Sequence, residues 1–237
     1  MRKFNRKKDQ IRDMVIDPNV NKNADGSCII KLGNTQAICT ASYASDVPAW
    51  LKQKNSGWLT AEYGMLPGST STRNKREAVK GKQSGRTVEI QRLIGRSLRT
   101  IINLKKLNGG QFILDCDVIQ ADGGTRTASI SGAFVALSLA VKKLLDKKVL
   151  TENPIIDSIS AISCGILDNE VYVDLDYSED SVADVDANII LTKNSGISEV
   201  QASGEGSTFN FDQLSQMIEM TENAAKLIFE IQEKAIH

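Results

Sequence analysis

Gly110–Ser131 reads GQFILDCDVIQADGGTRTASIS, and a change of rhythm inside it decides the fold. Phe112, Leu114, Cys116, Val118 and Ile119 supply the apolar side of a strand, with Asp115 and Asp117 alternating against them. Asp122-Gly123-Gly124 then breaks the alternation, Thr125-Arg126-Thr127 opens a helix, and an apolar helical pattern runs to about Leu145. Two glycines let the backbone turn tightly. The first N–H groups of the helix then point outward without an intrahelical partner. With the helix dipole and the cationic Arg126 at the same place, an anion is the natural occupant. The same letters also suit an ordinary tight turn with a threonine cap, so the rest of the chain has to choose.

The bulk numbers suit a globular chain: 237 residues, 41% hydrophobic and 24% charged. No Arg-rich transit peptide or secretory apolar core is present, and no apolar run is expected to approach bilayer-spanning length. The start, MRKFNRKKDQIRDM, is basic but leads into no hydrophobic stretch. A cytoplasmic protein with no membrane partner is expected. Cys28, Cys39, Cys116 and Cys164 form no C-x-x-C pair, and each lies in an apolar run, as reduced core thiols do. The single histidine is the last residue, His237. That excludes a Ser-His-Asp triad, a Cys-His pair and histidine-ligated zinc.

Net charge is zero but segregated. From Arg73 to Arg99 nine basic residues (73, 75, 76, 80, 82, 86, 92, 96, 99) stand against two acidic (77, 89), net +7. From Asp168 to Asp186 there are eight acidic residues and no basic one. A basic patch beside an acidic cluster suits a metal-dependent site that processes a polyanion. Two solvated faces would look the same.

Ser27–Leu32 and Gln36–Ser42 read as strands around Gly33-Asn34-Thr35, and Gly57–Leu66 as a further strand. Ser69–Ser84 is a polar, basic loop. A helix is expected from the N-cap Ser84 to about Asn103, with Val88, Ile90, Leu93, Ile94, Leu98, Ile101 and Ile102 as its apolar stripe. Arg92, Arg96 and Arg99 make one basic face of it. Arg86 falls in its first turn, where the dipole disfavours a cation unless an anion is bound. Two helix N-termini, one with Arg86 and one with Arg126, could hold one phosphate from both sides. Further on, Ser158–Ile166 and Glu170–Asp176 read as a strand pair, and Tyr177–Asp186 as an acidic turn. Ala187–Thr192 and Ile197–Ala202 are two more strands, and Phe211–Gln232 a closing amphipathic helix. The expectation is a single α+β domain over residues 1–237, mixed sheets with packed helices.

Four blocks, GWLTAEYGMLP, TRNKREAVKGKQSGRTVEIQRLIGRSLR, DCDVIQADGGTRTASISGA and DLDYSEDSVADVDAN, place the chain beside a known family. It resembles bacterial ribonuclease PH nearly end to end. The resemblance implies a ribonuclease PH-type domain (ribosomal protein S5 domain 2-like) and a phosphate-dependent 3′→5′ exoribonuclease acting on the 3′ ends of tRNA precursors and other RNAs. Arg86 and Gly124-Thr125-Arg126 match the family's site for inorganic phosphate, the co-substrate. Asp180 and Asp186 match carboxylates that hold Mg²⁺ or Mn²⁺ in related phosphorolytic enzymes, and Arg73 and Arg76 match RNA-contacting cations. The implied assembly is a homohexamer, a trimer of dimers. One departure stands out: where the family usually has Arg after MLP, this chain has Gly68.

The implied chemistry agrees with the residues. Inorganic phosphate is already an oxyanion near neutral pH, so no strong base has to generate the nucleophile, and catalysis can rest on positioning and charge neutralisation. Which group protonates the leaving 3′-oxygen is open, with the two aspartates as candidates. Two rivals remain at this level: an inactive ring subunit that only binds RNA, and a nucleotide-binding kinase using the Gly-Gly turn. Retention of both arginines and both aspartates opposes the first, and the lack of a P-loop lysine motif opposes the second.

Overall fold

A computed structural model describes residues 2, 5–53 and 56–237. Residues 1, 3 and 4 of the basic start lie outside the described residues. The strand read from Gly110 onward is β5, preceded by β1 (Met14–Pro18), β2 (Gly26–Leu32), β3 (Thr35–Ala44) and β4 (Trp58–Met65), with β5 itself at Gln111–Gln120. These form one sheet in the order β1-β2-β3-β5-β4. All neighbours are antiparallel except β4 and β5, which are parallel. Phe112, Leu114, Cys116 and Val118 face the core, as their alternation requires.

A parallel pair needs a crossover, and α2 (Gly85–Arg99) supplies it, after a short α1 (Glu77–Lys80). Ser84 caps α2 as expected, its Oγ accepting from Thr87 N at 3.2 Å. The helix stops four residues before Asn103, which instead caps a 3-10 turn at Leu104–Leu107. Of the expected stripe, Val88 is exposed while Ile90, Leu93, Ile94 and Leu98 are buried. Two of the three arginines on the basic face of α2 are engaged: Arg96 pairs with Glu199, and Arg99 lies 4.7 Å from the centre of the Trp58 ring while donating to Leu59 O, whereas Arg92 is exposed.

Helix α3 (Thr125–Asp146) runs from the glycine turn through the middle of the molecule. It packs on β2, β3 and β5 on one side and on β6 (Ile159–Leu167) on the other. By length and composition alone it could cross a bilayer, contrary to the expectation from the sequence, but 78% of its apolar window is buried inside the fold. A helix covered on both sides is apolar all round. The second sheet has the order β7-β6-β8-β9, with β7 at Glu170–Val173, β8 at Val185–Thr192 and β9 at Gly196–Gly204. Between β7 and β8 the expected acidic turn contains one helical turn, α4 (Tyr177–Asp180). Asp186 is therefore on a strand and not in a turn. Helix α5 (Phe211–Ile236) closes the fold over β6, β7 and β1. Buried apolar residues from both sheets form one contiguous core. All four cysteines are free and buried, and Cys28, Cys39 and Cys116 stand in register across β2, β3 and β5 beneath α3.

Candidate active site

The turn after β5 takes the conformation its glycines permit. Gly123 has φ +77° and Gly124 φ +64°, in the left-handed region that side chains avoid. A Cβ on Gly123 would also stand 2.6 Å from Leu175 O and 2.7 Å from Asp176 C. The missing side chain thus lets the strap between β7 and α4 lie directly on the turn. Gly124 is the N-cap of α3, no side chain caps that helix, and no acidic residue lies in its first turn. The N–H groups of its first turn are left for a ligand. Thr125 Oγ1 instead accepts from Tyr63 Oη at 3.0 Å.

Arg12 locks this junction. Its buried guanidinium pairs with Asp174 at 2.7 Å (side chains 0% and 1% exposed) and also donates to the carbonyl oxygens of Asp122 and Gly123. Thr35 holds the same turn from the β3 side, donating to Gly123 O at 2.6 Å and accepting from Asp122 N at 2.9 Å. Arg6 joins Asp174, Asp176 and Glu179, and Arg2 pairs with Glu179 at 2.7 Å. Asp176 and Glu179 form the capping box of α4. The N-terminal segment therefore clamps the acidic strap onto the Gly123-Gly124 turn. Sequence reading treats that basic start only as charge. No local pattern announces pairs so distant along the chain, although the D-x-x-E cap of α4 was there to be read.

Four of the residues singled out by sequence are brought together. Asp180 ends α4, Asp186 lies on β8, Arg126 is in the first turn of α3 and Arg86 in the first turn of α2. Both aspartates have raised pKa values. For Asp180 the main cause is removal from water, opposed by Arg126 and Arg86, with Glu205 adding to the rise. For Asp186 removal from water is again first, followed by repulsion from Asp180, with Arg126 opposing. Glu205 is a third carboxylate in the same field that sequence reading passes over. The Tyr63 pKa is raised by burial, against Thr125 and the fields of Arg86 and Arg126. Among the described residues no group of three or more His, Cys, Asp or Glu side chains could hold a metal unaided. Two mutually repelling carboxylates do fit Mg²⁺, which is commonly held by one or two carboxylates with waters and substrate phosphates completing its shell.

The basic segment is anchored at its start, where Ala121 N donates to Ser69 O at 2.8 Å and Leu66 N to Val118 O at 2.9 Å. A cavity of about 720 Å³ opens beside it, lined by Arg76, Arg86, Tyr63 and Asp117 among others. Arg73 is exposed and lies outside that lining.

Residues 10–143 match the profile of the 3′ exoribonuclease family, domain 1, and residues 157–224 that of domain 2 of the same family. The chain belongs to the ribonuclease PH family of 3′ exoribonucleases. It is 50% identical over 228 residues to ribonuclease PH of Neisseria gonorrhoeae, covering 96% of this chain and 94% of that protein. Ribonuclease PH of Neisseria meningitidis is 50% identical over 234 residues, covering 99% and 97%. Among solved structures, rice Rrp46 superimposes with a TM-score of 0.82 at 16% identity over 100% of both chains. The Archaeoglobus fulgidus exosome with RNA bound to the active site gives 0.81 at 23% identity, over 97% of this chain and 91% of that one. These two share the fold. This ribonuclease PH family member is a phosphorolytic 3′→5′ exoribonuclease of the nucleotidyltransferase class.

The raised pKa of Asp186 has a consequence for stability. Its folded-state carboxyl holds the proton more tightly than the unfolded one. Between the two pKa values the folded state binds more protons, so stability falls as pH rises through that window and stays lower above it. Asp186→Asn, which removes the charge, is expected to raise the melting temperature in chelator at neutral pH. A lowered melting temperature would contradict the electrostatic picture of the site.

Proposed function

We propose that this enzyme trims the 3′ ends of tRNA precursors and other RNAs, with Arg86, Arg126, Thr125 and the free N–H groups of α3 holding inorganic phosphate against the last phosphodiester. The observation that carries the reading is the convergence of Arg86, Arg126, Asp180 and Asp186, from four separate elements, at the N-terminus of α3. In this arrangement the arginines neutralise the incoming dianion and fix its direction, which is most of what phosphoryl-type transfer asks of a protein. Gly124 lets the backbone approach the anion closely. Asp180 and Asp186 would hold Mg²⁺ or Mn²⁺, which when bound supplies charge neutralisation at the reacting phosphate and the leaving 3′-oxygen. The terminal nucleotide leaves as a nucleoside diphosphate, and the reverse reaction adds nucleotides. We further assign Arg73 and Arg76 to the RNA strand, the two family halves to a single folding unit around one core, and the assembly to a homohexamer, a trimer of dimers, in the cytoplasm. The assembly rests on the family resemblance.

The test is a tRNA precursor with a 3′ extension, incubated with and without phosphate. Diphosphates released only with phosphate support the active enzyme. RNA binding without any release would assign the chain to the inactive, RNA-binding type of subunit. Asp186→Asn should lose Mg²⁺-dependent release while still binding RNA; unchanged activity at ordinary Mg²⁺ would remove the metal from Asp186.

The exposed segment from Arg73 to Lys82 makes a second prediction. RNA affinity should weaken with salt, with log affinity changing by roughly −0.7 per neutralised phosphate for each unit of log salt on a single strand. Arg73→Ala and Arg76→Ala should each flatten that slope by about one such increment, with little change in base preference. Gly68→Arg should act in the opposite direction, since a side chain there meets nothing within 4 Å. Unchanged slopes in both alanine variants, with the assembly intact, would take the segment away from RNA.

A further inference from the structure

Asp117 is a carboxylate to which the phosphate and metal chemistry gives no task. It lies on β5 just ahead of the Asp122–Gly124 turn and opens into the cavity that Arg76 and Arg86 also line. Among the described residues, neither of its oxygens takes a hydrogen bond or an ion pair. Its neighbours differ: Asp115 accepts from Thr40 Oγ1 at 3.3 Å, and Glu77, across the cavity, accepts from Thr87 Oγ1 at 2.7 Å and Ser84 N at 3.1 Å. In register on β4 stands Gly64, where a Cβ would come within 2.7 Å of Asp117 Oδ1. The neighbouring strand thus leaves the space around this carboxylate clear. Partial removal from water and the nearby Asp115 raise its pKa, against the pull of Arg76, as befits a charge whose hydrogen bonding is unmet.

A free carboxylate in a cavity for a polyanion repels phosphate, so its use must be to meet a donor. RNA offers two kinds, the amino groups of bases and the hydroxyls of ribose. A 3′→5′ exonuclease draws every nucleotide in turn through the same place. A fixed acceptor near the reacting end serves all of them only if it meets a group they share, and along the strand that group is the 2′-hydroxyl, which also distinguishes RNA from DNA. We propose that Asp117 accepts a hydrogen bond from the ribose 2′-hydroxyl of a nucleotide held in the cavity between Arg76 and Arg86, and that this contact makes the enzyme select RNA over DNA. The proposal rests on the assignment of Arg86 to phosphate and of Arg76 to the RNA strand. Met65 and Leu66 in the same wall offer apolar surface to a base without choosing among bases.

Oligoribonucleotides carrying one 2′-deoxy substitution, placed at successive positions from the 3′ end, test this in a double-mutant cycle. The readout is nucleoside diphosphate release at saturating phosphate, with melting temperatures to confirm folding. With the wild-type enzyme, one position should lower kcat/KM by about 10- to 100-fold, the effect of losing a hydrogen bond to a charged group. Asp117→Ala should lower the rate on all-RNA substrate by a similar factor, and the deoxy substitution at that position should then cost nothing more. Asp117→Asn keeps an acceptor and should recover part of the loss. Deoxy penalties that are the same in Asp117→Ala and wild type at every position would overturn the proposal, as would a penalty that follows base identity instead of the sugar. Loss of phosphate dependence by the wild type would overturn the underlying site assignment instead, so the two failures are distinguishable.

Discussion

Arg126→Ala is expected to lower phosphorolysis by about 10²- to 10³-fold, the scale seen when one donor to a developing oxyanion is removed, while the fold survives. The guanidinium sits at the open end of α3 and takes part in no described hydrogen bond or ion pair within the chain, so its loss strands no buried partner. What disappears is the cation in the first turn of a helix whose N–H groups remain uncapped. The loss should be steepest at low phosphate and partly offset by raising it, as expected of a side chain proposed to bind the nucleophile. Arg86→Ala should behave alike. If both hold one phosphate, the double variant falls well short of the product of the two single effects. Initial rates of diphosphate release against phosphate concentration decide this, with circular dichroism as the control. Near wild-type turnover of either variant at low phosphate would remove it from the site.

Asp174→Ala should cost about 3–5 kcal/mol of stability, because breaking a buried pair leaves uncompensated charge. Asp174 is 1% exposed and serves two buried arginines, Arg12 and Arg6, and it also accepts from the Arg12 backbone N–H at 2.6 Å. Its own φ of +55° is unusual for a residue with a side chain and is held by those bonds. Because Arg12 also grips the Asp122 and Gly123 carbonyls, activity should fall with stability. The exposed Lys8–Glu170 pair, at 49% and 52% exposure, is the internal control: Glu170→Ala should leave the unfolding midpoint nearly unchanged. Equal denaturation midpoints for the Asp174 variant and wild type would show that the clamp does not hold the site together.

What could be read from the sequence was local. Strand β5, its glycine turn and α3 lie within one stretch whose period changes from two to the helical repeat. Ser84 announced α2 through its own side chain. The elements that escaped were those fixed by distant partners. Strand β1 is a short edge that exists because β2 offers it a ladder. Arg6 and Arg12 read only as part of a basic start, because their partner Asp174 lies far along the chain. Asp186 reads as part of a turn because the acidic run hides the start of β8, a strand buried along most of its length and fixed by β6 and β9 on either side. Four of the candidate site residues were legible as chemistry, and the clamp that brings them together was not.

One inorganic phosphate is expected to bind at the N-terminus of α3, between Arg86 and Arg126 and facing Asp180 and Asp186. A crystal structure of the enzyme with inorganic phosphate tests it directly. The predicted result is an anion in contact with both guanidinium groups, Thr125 and the first-turn N–H groups of α3. Phosphate bound elsewhere, with Arg86 and Arg126 both turned away from it, would contradict the account.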